Sequence, residues 1–412
     1  MNSLRLETLS KRLAGHPPLA EALRRIDEGS FPVDCSELEQ PLAALMTAEA
    51  ARMSGGSRRY FVVTPTDAEA EAFVDDCRAA GAEAMVFPWW SAAAYRPVEP
   101  RSAAFGQRTA ALAAVLDDHG PRVIVMGQRA AMTPVPPRSA FERGLFRVRK
   151  GDEIDAGALA DRLAAWGYLR VPRVSLSGEF ALRGEVLDVF MPGDESALRI
   201  VFEYDEVEEI RRFEPVSQAS DPERPDTVLL RPSRECVWTP ELAARVGEAL
   251  AACPGPSGED RSPAIASVVE SLTELGEAKG EELLYPLAYG GPSSLFGYLG
   301  PDDVVVLLER ERLLGQSEAV KREYGGLYRK ALLEGPVPPP EALLVDFERE
   351  AAALSRVLSS WSLKDESAGD RLAFGSEPPR SFFGNVNYFR DELDSLLRAG
   401  YERRRFDARS LA

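Results

Sequence analysis

Paired carboxylates are the residues of this chain that could most directly do acid–base chemistry. Glu309 and Glu311 lie two positions apart, and Asp205 and Glu206 are adjacent. Catalysis by such a pair needs surroundings that separate the two pKa values, or a supporting histidine or metal. The chain has only two histidines and four isolated cysteines, so neither a metal site nor Ser-His-Asp chemistry is predicted. We expect these carboxylates to be solvated or structural, and we predict no catalytic residue.

Two arginines, Arg170 and Arg183, could do a different kind of chemistry. A guanidinium group donates charge-assisted hydrogen bonds to carboxylates, often two at once. Each of these arginines lies in or beside a predicted strand. The sequence alone therefore also allows both to be solvated charges on a sheet face. Whether these arginines bind a partner or only contact water depends on the surface where the surrounding helices and strands place them.

The elements around these arginines indicate a helix packed on a small antiparallel sheet. Residues 155–166 place apolar side chains at helical spacing. Apolar-rich runs follow over residues 179–190, 198–204 and 207–213, and the groups Met-Pro-Gly-Asp and Tyr-Asp-Glu separate them. Short runs of this kind, divided by turn-forming residues, are typical of a β-meander.

The motifs of this region carry a family resemblance. They read G-Y-x-R from Gly167, then G-E-F-A-x-R-G-x-x-x-D-V-F-x-P-G, then R-I-x-F-x-x-D-E-V-E-x-I-R-x-F. This pattern resembles the inserted second domain shared by the excinuclease subunit UvrB and the bacterial transcription-repair coupling factors. The resemblance implies a docking surface for UvrA, with Arg170 and Arg183 as cationic contacts and Phe180 as an apolar anchor. UvrB has a further arginine two residues before the R-G pair, where this chain has Ala181.

Strands that alternate with helices flank this region. The predicted elements are strands at 59–64, 84–87 and 122–126, helices at 68–80 and 108–116, and a further buried strand at 303–308. Such alternation predicts a parallel sheet with both faces covered. Because the last strand follows the meander, we expect the sheet to be discontinuous in sequence. The stretches VVTPTDAEAEAFVDDCRAAG and ELLYPLAYGGPSSLFGYLG also resemble the coupling factors.

The expected fold class is therefore α/β, a RecA-like parallel sheet domain with an inserted small α+β domain and the start of a third α/β domain. The expected boundaries are 1–127 and 216–370 for the two parts of the sheet domain, 128–215 for the insertion and 371–412 for the third domain. Residues 331–380 have linker composition, with GPVPPP followed by a helical pattern around residues 348–363.

A nucleotide site is not predicted. A P-loop needs glycines, a lysine and a hydroxyl to hold phosphates and Mg²⁺, and no G-x-x-x-x-G-K-[ST] occurs in the chain. By the resemblance, residues 35–42 take that position, with Cys35, Gln40, Pro41 and Leu42 in a segment that lacks glycine. The RecA-like domain is therefore expected to be degenerate and to bind no cofactor. ATP and Mg²⁺ are expected in motor domains of longer family members.

The net charge of −17 argues against duplex DNA as a direct partner, since DNA binding needs clustered cations. The resemblance implies that RNA polymerase and DNA bind through domains beyond a truncation at residue 412. No run of 18 apolar residues and no signal peptide occurs, so we expect a cytoplasmic monomer without membrane contact. Two alternatives stay open: an active UvrB-like ATPase or helicase subunit, and an intramolecular autoinhibitory clamp on the motor.

Overall fold

A computed structural model describes residues 15–100, 102–254, 260–361, 371–376 and 386–400. The strands are β1 (Val33–Ser36), β2 (Tyr60–Thr64), β3 (Ala84–Val86), β4 (Val123–Gly127), β5 (Phe146–Arg149), β6 (Leu169–Arg170), β7 (Glu179–Arg183), β8 (Val186–Val189), β9 (Ala197–Glu203), β10 (Glu206–Phe213), β11 (Thr227–Leu230), β12 (Val304–Leu307), β13 (Val357–Trp361) and β14 (Leu372–Ala373). The α-helices are α1 (Pro17–Glu28), α2 (Gln40–Met53), α3 (Asp67–Ala79), α4 (Ala103–Leu116), α5 (Gln128–Met132), α6 (Arg138–Arg143), α7 (Ala156–Ala165), α8 (Pro240–Ala252), α9 (Ser262–Glu270), α10 (Tyr285–Ala288), α11 (Arg310–Ala331), α12 (Pro340–Leu343), α13 (Phe347–Ala353) and α14 (Val386–Arg398).

The largest sheet has seven strands in the order β14-β1-β13-β12-β2-β4-β3. Every neighbouring pair in it is parallel. Strands from before residue 128 and from after residue 303 share this sheet: β1 lies between β14 and β13, and β12 pairs with β2. The predicted α/β class and discontinuous sheet are confirmed.

Both faces of this sheet are buried, as a parallel sheet requires. Along β2 every residue is buried, with Tyr60 and Val62 in the core on one face and Phe61 and Val63 in the core on the other. Helices α1, α2 and α3 cover the first face, and α4, α11 and α13 cover the second. Helix α3 begins at a capping box in which Thr66 and Glu69 satisfy each other's backbone N–H groups.

The segment expected to be a linker contributes a central strand instead. The predicted long helix around residues 348–363 is wrong: α13 ends at Ala353, and β13 then lies between β1 and β12. Two buried serines interrupt the apolar pattern of this strand, so the pattern does not predict it. Ser360 Oγ accepts a hydrogen bond from the Glu309 N–H at 2.8 Å, and Ser359 Oγ accepts one from Arg310 at 3.1 Å. The hydroxyls are therefore satisfied inside the sheet.

The inserted unit is built on a five-stranded sheet in the order β10-β9-β8-β7-β6. Helix α7 packs on one of its faces, with Leu159 and Leu163 in the same core as Phe180 and Ile200. The antiparallel pair β5–β11 adds to this core through Val148, Val228 and Leu230. Because β11 packs here, this unit extends past the expected boundary at residue 215.

A helical unit with its own core follows the insertion. Trp238, Val246 and Leu250 pack there against Trp90 and Phe105, and Leu272 and Tyr285 join the same cluster. A buried ion pair between Arg108 and Glu235 joins this unit to α4. Within the described ranges no helix has the combination of length and apolar character needed to cross a bilayer.

Candidate partner-binding site

Arg170 lies on β6, the edge strand of the five-stranded sheet. Its neighbours hold the backbone, since the Leu169 N–H donates to the Gly178 carbonyl and the Val171 N–H donates to the Phe180 carbonyl, both at 2.9 Å. The Arg170 side chain is exposed and makes no hydrogen bond or ion pair with any other residue that the structure describes. The backbone of Arg170 is thus held in the sheet, whereas its guanidinium group has no partner in the described chain.

Phe180 does not form part of this surface. Its side chain is 1% exposed and lies in the core beneath α7. The expected role of Phe180 as an apolar anchor for a partner is wrong, because a phenyl ring in that core cannot reach another protein. Phe180 instead fixes the edge of the sheet, since its backbone pairs with Arg170 in register.

Arg183 lies at the end of β7 and is held by a buried carboxylate. Its Nη2 donates to Asp188 Oδ2 at 2.7 Å, and Asp188 is 1% exposed whereas the Arg183 side chain is 48% exposed. Arg199 donates to the same carboxylate through Nε at 2.5 Å and Nη2 at 2.8 Å. These hydrogen bonds to Asp188 raise the pKa of Arg199. One buried anion therefore orients two cations, and Arg183 keeps donors that face solvent.

The two candidate arginines lie on opposite faces near one edge of the sheet. Arg170 is level with Phe180 across the β6–β7 pair, and Arg183 follows Phe180 by three positions, which reverses its face. Three residues of strand separate the two levels by about 10 Å. A partner that contacts both arginines must therefore wrap around the β6–β7 edge rather than lie flat on one face.

Ala181 shares its face with Arg183 but is covered. It is fully buried against Val174, Ala197 and Phe213. The arginine of UvrB at this position has no solvent-facing equivalent here, because the chain after β6 packs over the site through Val174. The departure at Ala181 thus gives a small apolar core in place of an additional cation.

Sequence reasoning missed Asp188 and Arg199. The available signal was a carboxylate within the otherwise apolar strand Val-Leu-Asp-Val, because a buried aspartate needs paired cations. The cross-strand partner of Asp188 on β9 is Arg199, which a strand alignment of the second and third motifs would have revealed.

The segment at the expected nucleotide position forms a strand, a short loop and a helix. Cys35 is buried in β1, and Gln40, Pro41 and Leu42 begin α2. The pocket beside this loop has a volume of about 160 Å³ and is lined by Glu37, Leu38, Glu39, Gln40, Glu309, Ser360, Trp361 and Ser376.

Carboxylates and a serine line that pocket. Burial and the neighbouring Glu309 raise the pKa of the Glu39 carboxyl. Ser376 Oγ accepts a hydrogen bond from the Glu39 N–H at 2.9 Å and donates to the Glu37 carbonyl at 2.6 Å. The Glu39 backbone N–H at this loop is therefore bound to Ser376, and three glutamates, Glu37, Glu39 and Glu309, line the pocket around it.

The carboxylate pairs considered for catalysis are not gathered into one site. Asp205 and Glu206 lie at the exposed turn between β9 and β10. Glu309 follows β12 and accepts a hydrogen bond from Arg312 at 2.8 Å. In the described ranges no group of three or more His, Cys, Asp or Glu residues is arranged to hold a metal ion.

Comparison with known proteins identifies the inserted unit. The family model of the UvrB interaction domain matches residues 146–235, which extends past β11 as the packing requires. Similar proteins include the transcription-repair-coupling factor of Borreliella burgdorferi, 23% identical over 76% of this chain and 27% of its own length. That of Myxococcus xanthus is 30% identical over 73% of this chain and 25% of its own.

UvrABC system protein B of Thermotoga neapolitana is 30% identical over 31% of this chain and 19% of its own length. The chain thus spans about a quarter of the length of the coupling factors it matches. The resemblance predicted from the motifs is confirmed as a similarity: residues 146–235 match the UvrB interaction domain, and about 70% of the chain is similar to the transcription-repair-coupling factors.

Proposed function

We propose that this chain, a relative of the transcription-repair-coupling factors that contains a UvrB interaction domain, binds UvrA and recruits it to stalled transcription without hydrolysing ATP. The observation that carries the proposal is the pair of exposed guanidinium groups on that domain. Arg170 has no partner in the described chain, and Asp188 holds Arg183 so that part of its side chain faces solvent. Both can donate charge-assisted hydrogen bonds to carboxylates of a partner protein, and Arg183, which Asp188 already holds, loses less side-chain freedom on binding.

The absence of ATPase activity in this proposal is supported by the residues at the nucleotide position. Glu37, Glu39 and Glu309 surround the pocket, and like charges oppose a triphosphate. The pocket of about 160 Å³ is also small compared with ligand sites, which are usually roughly 300–1,000 Å³. The competing reading, an active UvrB-like ATPase, requires Mg²⁺-dependent ATP turnover by the purified chain.

The test is calorimetric titration of the chain with purified UvrA at moderate salt. A charge-assisted hydrogen bond contributes about 1.5–3 kcal/mol, so the double substitution Arg170→Ala/Arg183→Ala, which removes two, should weaken binding by at least roughly 100-fold. The double substitution Arg322→Ala/Arg329→Ala removes the same charge from exposed positions on α11 and should leave the affinity within about threefold.

Equal binding by both double variants would show that the assigned surface is wrong. If the unaltered chain does not bind UvrA, the recruitment proposal fails and the intramolecular clamp is favoured. Steady ATP hydrolysis by the chain would favour the ATPase reading in place of a binding module.

A further inference from the structure

The turn that follows β10 presents a valine to solvent. Val216 is 77% exposed and is the middle residue of a tight turn, residues 214–218. The Gln218 N–H donates to the Glu214 carbonyl at 2.8 Å, and the Glu214 carboxylate accepts a hydrogen bond from the Val216 N–H at 2.9 Å. Gln218 has a φ of 61°, in the left-handed region. These contacts fix the backbone of Val216, whereas its side chain stays open to solvent.

A continuous chain of hydrogen bonds joins this turn to Arg183. Arg199 Nη2 donates to Gln218 Oε1 at 3.1 Å and to Asp188 Oδ2 at 2.8 Å. The same Asp188 carboxylate accepts a hydrogen bond from Arg183. Arg199 is therefore held between the strand β8 and the turn. Because Asp188 and Arg199 are cross-strand partners, the turn and Arg183 lie on the same face of the five-stranded sheet.

Arg173 supplies a second exposed cation, directly beside the valine. Its Nη2 donates to the Val216 carbonyl at 3.2 Å, and its side chain is exposed. The next residue, Val174, is fully buried in the small core on this face, so the backbone at Arg173 is held in place. No residue within the described ranges offers Arg173 a carboxylate. Arg173 can therefore still bind a carboxylate of a partner.

The hydrogen-bonded cluster around the turn carries a local excess of positive charge. Its carboxylates and cations are Asp188 and Glu214, and Arg173, Arg183 and Arg199. Three cations thus lie with two anions, in a chain whose net charge is −17. This face of the sheet therefore attracts acidic groups, although the chain as a whole repels them.

An exposed valine with two available cations on the same face complements a partner segment that is both apolar and acidic. The turn fixes the backbone of Val216, and a valine side chain has few rotamers, so its burial costs little conformational freedom. We propose that Val216 is the apolar anchor of the UvrA contact, and that carboxylates of the same UvrA segment bind Arg173 and Arg183. Val216 takes the role that the buried Phe180 cannot take. This inference rests on the proposed function.

The occupant is UvrA rather than a second copy of this chain, because the surface is continuous with the proposed binding site. Residues 173–218 lie within the range 146–235 that matches the UvrB interaction domain. Two copies of a chain with a net charge of −17 also repel each other over long range.

The experiment titrates the full 412-residue chain with purified UvrA in calorimetry. Val216→Ser should weaken binding about tenfold, because a buried apolar contact is lost. Val216→Ile keeps an apolar side chain and should stay within about threefold of the unaltered affinity. The matched control is Leu333→Ser, at a leucine that is 78% exposed and lies outside the inserted unit. It should bind as the unaltered chain does.

Ionic strength separates the contribution of the valine from that of its cations. The loss caused by Val216→Ser should be equal at low and high salt, because the contact is apolar. The loss caused by Arg173→Ala should shrink as salt screens the charges. A Val216→Ser loss that disappears at high salt would overturn the role of Val216 as an apolar anchor.

Three further outcomes overturn the inference in different ways. If Val216→Ser binds normally while Arg183→Ala weakens binding, the anchor assignment fails and the proposed function stands. If the unaltered chain does not bind UvrA, both fail together. Self-association of the chain that Val216→Ser abolishes would assign this face to a second copy.

Thermal unfolding separates a folding defect from a lost contact. Val216 and Leu333 are both exposed, so their replacement should leave the unfolding temperature within a few degrees. If Val216→Ser nevertheless unfolds more easily, Val216→Thr keeps the shape of the side chain and should still weaken binding. Normal binding by a folded Val216→Thr variant would then overturn the inference.

Discussion

Replacing Glu235 by Gln should destabilise the protein more than replacing the whole Arg108–Glu235 pair by apolar residues. The side chains of Arg108 and Glu235 are 0% and 1% exposed. Arg108 also donates to the Pro88 carbonyl at 2.8 Å, and its guanidinium lies 4.8 Å from the ring centre of Phe87 and 4.4 Å from that of Trp90. The pair therefore joins α4, the chain after β3 and the start of the helical unit in one buried contact.

The magnitude depends on what each substitution leaves behind. Glu235→Gln leaves a buried guanidinium without a counter-charge, and breaking a buried pair in this way costs about 3–5 kcal/mol. Arg108→Met/Glu235→Leu removes both charges together with their desolvation cost. It leaves the Pro88 carbonyl without a donor, at about 1–3 kcal/mol, while Tyr285 keeps its hydrogen bond to the Pro134 carbonyl. Repacking by apolar side chains offsets part of that loss, so the double variant should lie within about 2 kcal/mol of the unaltered chain.

Urea unfolding followed by tryptophan fluorescence is the assay, because Trp90 lies against the Arg108 guanidinium and shares a core with Trp238. The control is Glu142→Gln, which breaks an ion pair with Arg138 at an exposed position and should cost less than about 1 kcal/mol. A midpoint for Glu235→Gln equal to that of the control would refute the reasoning. So would a double variant that is no more stable than the single one.

Two further predictions concern buried carboxylates. Asp188→Asn should weaken UvrA binding by roughly tenfold although residue 188 is buried, because Arg183 loses a charge-assisted hydrogen bond of 2.7 Å that orients it; calorimetry against the exposed control Glu203→Gln tests this, and equal affinities would exclude a positioning role. Burial raises the pKa of Glu282 from 4.5 to about 7, so between these two pH values the folded chain holds a proton that the unfolded chain has released. The contribution of this proton to the free energy of unfolding is complete below pH 4.5 and is lost as the pH rises to about 7, by on the order of 3 kcal/mol. The unfolding temperature measured across this range should fall less for Glu282→Gln than for the unaltered chain, and parallel curves would contradict the assignment.

The sequence predicts those elements whose hydrophobic pattern is not interrupted. Residues 59–64 and 303–308 read as buried strands because nearly every side chain in them is apolar, and both lie in the seven-stranded sheet. The same reasoning does not predict strand β13, because two of its five residues are serines. Their hydroxyls form hydrogen bonds with Glu309 and Arg310, which follow the neighbouring strand β12. Strand β14 has two residues, too few for any periodicity.

The candidate site, too, could be predicted from the sequence only in part. The motif places Arg170 and Arg183 on a small sheet, and the structure shows both exposed. The motif also places Phe180 between them, but which face a strand residue takes depends on the helix that covers the sheet. Helix α7 covers the Phe180 face.

The position of β13 also has a consequence for how the protein folds during synthesis. The five-stranded sheet lies within residues 169–213, so its pairings are local and can form while the ribosome is still making the rest of the chain. The seven-stranded sheet cannot close in that way, because β13 separates β1 from β12 and its last residue is Trp361. Strand β1 must therefore wait for more than three hundred residues of translation before its neighbour exists. We expect the nascent chain to carry a folded partner-binding unit ahead of a finished α/β core.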